Sequence, residues 1–218
     1  NGFADELQTF LIAASVPATT GTPYAWTIPD AISNTVKVRV SNVTDATVLD
    51  VSDANLAIKG SLTLNAPNGG ETWMVGASQP VTWSKVGSIA DVKLEYSTDG
   101  GVSYPNLIVA STPASAGSYT WTIPDAITTT AKVKVTDVSD SAVFDPSNAN
   151  FKIAGSLTLT SPNGAESWLI ATSQDITWTK TGSIANVKLE YSTNGGTSYP
   201  NLIIASVSAT TGTPYAWT

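Results

Sequence analysis

Self-similarity at a fixed period constrains this chain more than any local pattern, because each copy must be a unit that closes a core and accepts a neighbour. The segment from Gly60, GSLTLNAPNGGETWMVGASQPVTWSKVGSIADVKLEYSTDGGVSYPNLIVAS, returns from Gly155 as GSLTLTSPNGAESWLIATSQDITWTKTGSIANVKLEYSTNGGTSYPNLIIAS. Between 60–112 and 155–207, 36 of 53 positions are identical, at an offset of 95. TIPDAISNTVKVRVSNVTDATVLDVSDANLAIKG at 27–60 recurs at the same offset as TIPDAITTTAKVKVTDVSDSAVFDPSNANFKIAG at 122–155. A longer period overlies the first: SVPATTGTPYAWT at 15–27 returns at 206–218 with 12 of 13 residues identical, while the middle copy, STPASAGSYTWT, is one residue shorter. The frame divides the chain into the C-terminal part of a repeat (1–59), a complete repeat (60–154) and the N-terminal part of another (155–218), as a window on a longer array would.

Within one repeat, apolar and polar residues alternate over short runs punctuated by turn residues about every 8–12 positions, the pattern of antiparallel strands packed as two sheets. Seven strands are predicted, with their inward faces at Leu62 and Leu64; Val81 and Trp83; Val92, Leu94 and Tyr96; Leu107 and Val109; Tyr119, Trp121 and Ile123; Val133 and Val135; and Phe151 and Ile153. Asp99-Gly100-Gly101 and Asn194-Gly195-Gly196 supply the positive φ values of tight hairpins. The expectation is an all-β chain of tandem Ig-like or fibronectin-like antiparallel β-sandwich repeats. Residues 1–59 lack the first three strands and 155–218 lack the last two, so both leave open edges for further sequence or another molecule to complete.

The run P-N-G-G-E-x-W, followed by V-T-W, V-K-L-E-Y-S-T-D-G-G-x-S-Y, Y-T-W-T-I-P-D and S-x-A-x-F, resembles immunoglobulin-like repeats of secreted prokaryotic surface proteins. It is similar also to the Ser-Thr-rich N-terminal domain of fungal β-1,6-glucan cell-wall assembly proteins. Pro67, Asn68, Gly69, Glu71, Trp73 and Trp83 carry the resemblance in the complete repeat. Pro162, Asn163, Gly164, Glu166, Trp168 and Trp178 carry it in the next, where Ala165 stands for the second glycine. The resemblance implies an extracytoplasmic sandwich without catalysis. Ser97, Asp99, Gly101, Ser103 and Tyr104 look like the Asp-box hairpin of sialidases, a turn-stabilising device that Asn194 should relax in the following copy.

Ten basic against 17 acidic residues give a net charge of −7, which removes the electrostatic attraction that nucleic acids and anionic membranes depend on. No apolar run approaches the roughly 18 residues of a membrane span, so neither nucleic acid nor membrane insertion is expected. The first residues show no charged-then-apolar signal pattern. With no His and no Cys, serine triads, cysteine proteases and thiolate or imidazole metal sites lack their central residues. Glu71 with Glu95, and Glu166 with Glu190, are the remaining acid pairs a glycosidase would need, and a structural role is expected for them.

Flat aromatic rings bind sugars, and four lie in turn-rich or hairpin segments where exposure is expected: Trp73, Trp168, Tyr104 and Tyr199. Trp26, Trp83, Trp121, Trp178 and Trp217 fall on inward phases and are assigned to core packing. Acidic loops at Asp137, Asp140 and Asp145, and at Asp45, Asp50 and Asp53, are candidates for Ca²⁺, set against ordinary turn roles; Asn148 replaces one acid. Lys93 and Lys188 raise an isopeptide cross-link, set against solvated edge charges.

The function expected is a structural repeat region of an extracellular stalk, fibre, filament or adhesin, secreted or at the cell surface. Its partners would be copies of itself head to tail or further repeats of the same chain. The alternative is a surface-associated carbohydrate or cell-wall binding module, or an accessory region of a larger secreted enzyme.

Overall fold

Alternating apolar residues bury themselves only where both sheets of a sandwich are present, and this separates the complete repeat from the two partial ones. A computed structural model of the chain describes residues 10–19, 23–210 and 214–218. Residues 20–22 and 211–213 of the recurring 13-residue segment, and 1–9 of the first partial repeat, lie outside the described residues. The chain forms two units, residues 1–60 and 61–218.

The first unit contains β1 (Ser33–Val36), β2 (Arg39–Ser41), β3 (Leu49–Val51) and β4 (Leu56–Ile58), paired antiparallel as β1 with β4 and β2 with β3. Among its described residues Ile58 is the one large apolar side chain that is buried, while Val40, Val43, Val48 and Leu49 are exposed.

In the second unit the complete repeat runs β5 (Ser61–Ala66), β6 (Thr72–Met74), β7 (Ser78–Val86), β8 (Asp91–Ser97), β9 (Asn106–Pro113), β10 (Ser118–Thr122), β11 (Thr128–Asp137), β12 (Phe144–Pro146) and β13 (Phe151–Ala154). A single 3-10 turn spans Ala114–Ala116. One layer has the order β10-β7-β5; the other has the order β6-β13-β11-β8-β9, with β12 beside β11. Neighbours are antiparallel except β13 and β6, which are parallel. Between the layers lie Leu62, Leu64, Val81, Trp83, Val92, Leu94, Trp121, Ile123, Val133, Val135, Phe151 and Ile153, all buried on the phase the alternation predicts.

Two details differ from the seven-strand expectation. The strands β6 and β12 are additions of three residues each, too short to display a period. Leu107, assigned inward, is exposed. Val92 pairs with Thr112, Leu94 with Val109 and Glu95 with Leu107, so β9 carries two extra residues against β8. Each bulge shifts the strand's phase, and Ile108 and Val109 pack on the core while Leu107 turns outward.

Polar pins join the layers. The buried Ser147 hydroxyl accepts the Val133 N–H at 2.9 Å and donates to the Pro67 carbonyl at 2.7 Å. Asp145 Oδ2 accepts the Leu64 N–H at 2.7 Å. The Trp83 indole N–H reaches the Ala114 carbonyl at 3.0 Å.

The following partial repeat has β14 (Ser156–Ser161), β15 (Gln174–Thr181), β16 (Asn186–Tyr191), β17 (Asn201–Ser208) and β18 (Tyr215–Trp217). Its pairings, β14 with β15, β15 with β18 and β16 with β17, reproduce the registers of β5 with β7, β7 with β10 and β8 with β9. A smaller core of Ile176, Trp178, Val187 and Ala209 forms, with Trp217 packed against it. Residues 167–169, in the place of β6, are not a strand. The reason is a missing partner: β6 exists as a parallel neighbour of β13, and residues 155–218 contain no counterpart of β13.

Candidate functional site

The aromatic residues sort by what covers them. Trp73 is a correction to the sugar-platform expectation. It lies on β6 and is only 7% exposed, with its ring 5.1 Å from Phe151 and edge-on to Trp121 at 6.0 Å. The turn-rich sequence around it hid a parallel strand pairing that turns the ring inward. Tyr104 is half-buried, and the Lys134 ammonium sits 4.6 Å over its ring, so that face is already occupied. Burial, with the nearby Asp99 charge, raises the Tyr104 phenol above its ordinary value. Trp168 is half-buried edge-on to Trp217 at 6.2 Å, and Tyr199 is exposed. Among the tryptophans assigned to the core, Trp83, Trp121 and Trp178 are buried and Trp217 is partly so. Trp26 instead lines a cleft with Phe10, Leu11 and Tyr24 and is half-buried.

Each glutamate among the described residues is committed locally. Glu71 accepts the N–H groups of Asn68 and Gly69 at 2.7 and 2.8 Å, and Glu166 accepts those of Asn163 and Gly164 at 2.8 and 2.7 Å. These bonds hold the Glu166 carboxyl below its ordinary value. The glutamate of the P-N-G-x-E segment is thus the clasp of its own turn. Glu95 lies between Lys93 at 3.0 Å and Lys134 at 3.3 Å, and Glu190 pairs with Lys188 at 2.7 Å. Lys93 is not an edge charge, because β8 lies between β11 and β9. It and its counterpart Lys188 are ion-paired with Glu95 and Glu190 on a sheet face.

The Ca²⁺ expectation at Asp137, Asp140 and Asp145 is also corrected. Asp137 accepts the N–H and hydroxyl of Ser139, Asp140 the N–H of Ala142, and Asp145 the N–H of Leu64. The carboxylates close separate turns instead of converging. Among the described residues no three acidic groups gather as a metal site, Asp45, Asp50 and Asp53 included. Asp45 closes a turn on Thr47, whose hydroxyl and N–H lower its carboxyl.

The Asp-box hairpin keeps its network in both copies. Asp99 accepts the Ser103 hydroxyl at 2.6 Å, the Ser103 N–H at 3.1 Å and the Ser97 hydroxyl, and these hold its carboxyl far below the usual range. Asn194 accepts the Ser192 hydroxyl at 2.7 Å and the Ser198 N–H at 3.1 Å, and donates to the Ser198 hydroxyl at 2.8 Å. The expected relaxation at Asn194 does not occur, since the amide reverses one bond and keeps the others. Gly101, at φ +89°, is required here, because a Cβ would stand 2.9 Å from the Tyr104 hydroxyl.

The least expected constellation is the junction of the complete repeat with the next. Only Gly155 separates β13 from β14, and a Cβ there would meet the Thr181 carbonyl at 2.6 Å. Beyond β15, Gly182 at φ +87° has Asp125, Ile127 and Val75 of the preceding repeat 3.2–3.3 Å from where its Cβ would be. Asp125 accepts the Ser183 N–H at 2.8 Å and the Ser183 hydroxyl, which lowers its carboxyl, with a smaller contribution from Lys180. The sequence carried a signal for this: T-I-P-D and G-S-I-A are turn segments kept unchanged at the 95-residue offset. Its meaning needed the packing.

Among the described residues no helix is long and apolar enough to cross a membrane. No protein-family model and no curated protein matches the chain, so the glucan-assembly resemblance finds no match there. Among solved structures it is similar to the fibronectin(III)-like modules of Clostridium thermocellum CbhA, at 18% identity over 72% of this chain and 77% of that one, with a TM-score of 0.25. From its own strand order and registers, the chain is an all-β protein of Ig- or fibronectin-like sandwich repeats.

Proposed function

We propose that this chain is a structural repeat region of an extracellular stalk, fibre or adhesin, without catalysis of its own, in which sandwiches follow one another head to tail. The observation that carries the reading is the junction at Gly155. A one-residue connection, two close-packed glycines and the Asp125 to Ser183 bonds fix one repeat against the next without a flexible linker. In a catalytic domain, polar side chains would converge on a cleft. Here Glu71, Glu95, Asp99, Asp137 and Asp145 are each spent on turns, strands or ion pairs. A surface of low charge density suits a spacer, which must stay soluble while touching only its own kind. Electron microscopy of the native material tests the reading: thin rods with regularly spaced sandwich-sized beads are expected. Compact particles with no axial repeat would refute it.

A further inference from the structure

We infer that the outer face of the larger sheet of the complete repeat, at Phe144, Thr136 and Lys93, binds a polysaccharide that carries carboxylates. Residues 60–154 hold five lysines against eight acidic residues, a net charge of −3. Four of those lysines, Lys93, Lys132, Lys134 and Lys152, alternate with the buried residues of β8, β11 and β13 and so project from one face. Asp91 and Glu95 are the acids of these strands on the same phase, so the face carries +2 in a repeat that is acidic elsewhere. The partner it attracts is an anion.

Three cross-strand neighbours form a row on this face. Phe144 pairs with Thr136 and Thr136 with Lys93, so β12, β11 and β8 set an aromatic ring, a hydroxyl and an ammonium side by side. Phe144 is 53% exposed and is the one exposed aromatic side chain of residues 60–154. Thr136 is 5% exposed, and its hydroxyl has no hydrogen-bond partner among the described residues. A buried hydroxyl in that state lowers stability, and a ligand oxygen would satisfy it. The Lys93 ammonium holds Glu95 Oε1 at 3.0 Å while its side chain stays 38% exposed. The position therefore already binds a carboxylate and remains open to another.

The row fits a sugar acid. The C–H face of a pyranose packs on a ring such as Phe144, a sugar oxygen reaches Thr136, and the acid group reaches Lys93. A polymer gains more than a single sugar, because Lys134 and Lys132 follow Thr136 at every second residue of β11, about 6.6 Å apart. The exposed Lys152 stands on the neighbouring β13. Lys134 is spent on Glu95 at 3.3 Å and on the Tyr104 ring at 4.6 Å. Lys132 reaches a backbone carbonyl, that of Asn148, at 3.5 Å, so Lys93, Lys132 and Lys152 are the cations that meet successive carboxylates. A nucleic acid fits less well, since its denser charge would extend onto the acidic remainder of the repeat and a single exposed ring offers no stacking ladder.

Isothermal titration calorimetry of the full chain with polygalacturonate tests this, beside the same polymer with its carboxylates methyl-esterified and beside inorganic polyphosphate. Binding of polygalacturonate that weakens with added salt is expected, with neither of the other polymers matching it. Phe144→Ala and Lys93→Gln should each weaken that binding about tenfold, with the near-UV circular dichroism of the fold retained. Thr136→Val should raise the denaturant midpoint while weakening binding several-fold, opposite signs that a merely structural hydroxyl would not give. No binding of polygalacturonate, or equal binding of the esterified polymer or of polyphosphate, would overturn the proposal. So would a Phe144→Ala or Lys93→Gln variant that binds as tightly as the wild type, or a Thr136→Val variant that loses stability and keeps its affinity. The face lies apart from the Gly155 junction, so any of these results would leave the array reading standing.

Discussion

Replacing Trp73 by alanine separates the two positions this ring can occupy, because a platform residue and a core residue differ several-fold in cost. A buried tryptophan removes roughly 150–250 Å² from water, which at about 25 cal/mol per Å² amounts to about 4–6 kcal/mol. The alanine methyl that remains and the compactness of the unfolded chain reduce this to about 3–5 kcal/mol. Trp73 also gives up ring contacts with Trp121 and Phe151, and the hole between them is walled by strands that cannot collapse without breaking β13 from β6. Trp83→Ala should cost as much, with the Ala114 carbonyl losing its donor besides. Trp168→Ala, at the same repeat position but half-buried and off any strand, should cost less than about 2 kcal/mol. Guanidinium melts of the full chain measure all three. Residues 60–154 alone should show the same single cooperative, β-rich transition. A loss below about 1 kcal/mol for Trp73→Ala would refute the buried placement.

Two further substitutions probe the polar framework. Asp99 has a folded-state carboxyl depressed by the hydroxyls of Ser103 and Ser97, so its contribution to hairpin stability is fully present above about pH 4 and is lost as pH falls through the folded value. The Ser103 amide proton should shift on acidification in the wild type, and Asp99→Asn should abolish that shift while keeping the hairpin, as Asn194 does. Ser147→Ala should cost about 2–3 kcal/mol in the same melts, because it leaves the Val133 N–H and the Pro67 carbonyl buried without partners.

The inward phases of Val81, Trp83, Val92, Leu94, Val133 and Phe151 were legible because strand alternation reports burial directly wherever register is unbroken. At Leu107 it misled, since a bulge changes phase without changing composition. Trp73 misled for another reason: its burial comes from parallel pairing with a strand about 80 residues away, a non-local contact that local periodicity does not encode. The acidic loops read as metal candidates because aspartates that cap turns and aspartates that bind Ca²⁺ share composition and differ only in where their oxygens point. Asp125 escaped notice as one more proline-adjacent turn residue. Only the packing of the next repeat gives its carboxylate a partner.

The account depends on successive repeats being held in one orientation, and residual dipolar couplings across the Gly155 junction measure this most directly. Couplings from residues 61–154 and from 155–208 in the full chain should fit a single alignment tensor, and Asp125→Ala should begin to separate them. Two independent tensors of unequal magnitude in the wild type would mean that the repeats reorient freely, and would contradict the reading of this chain as a structural array.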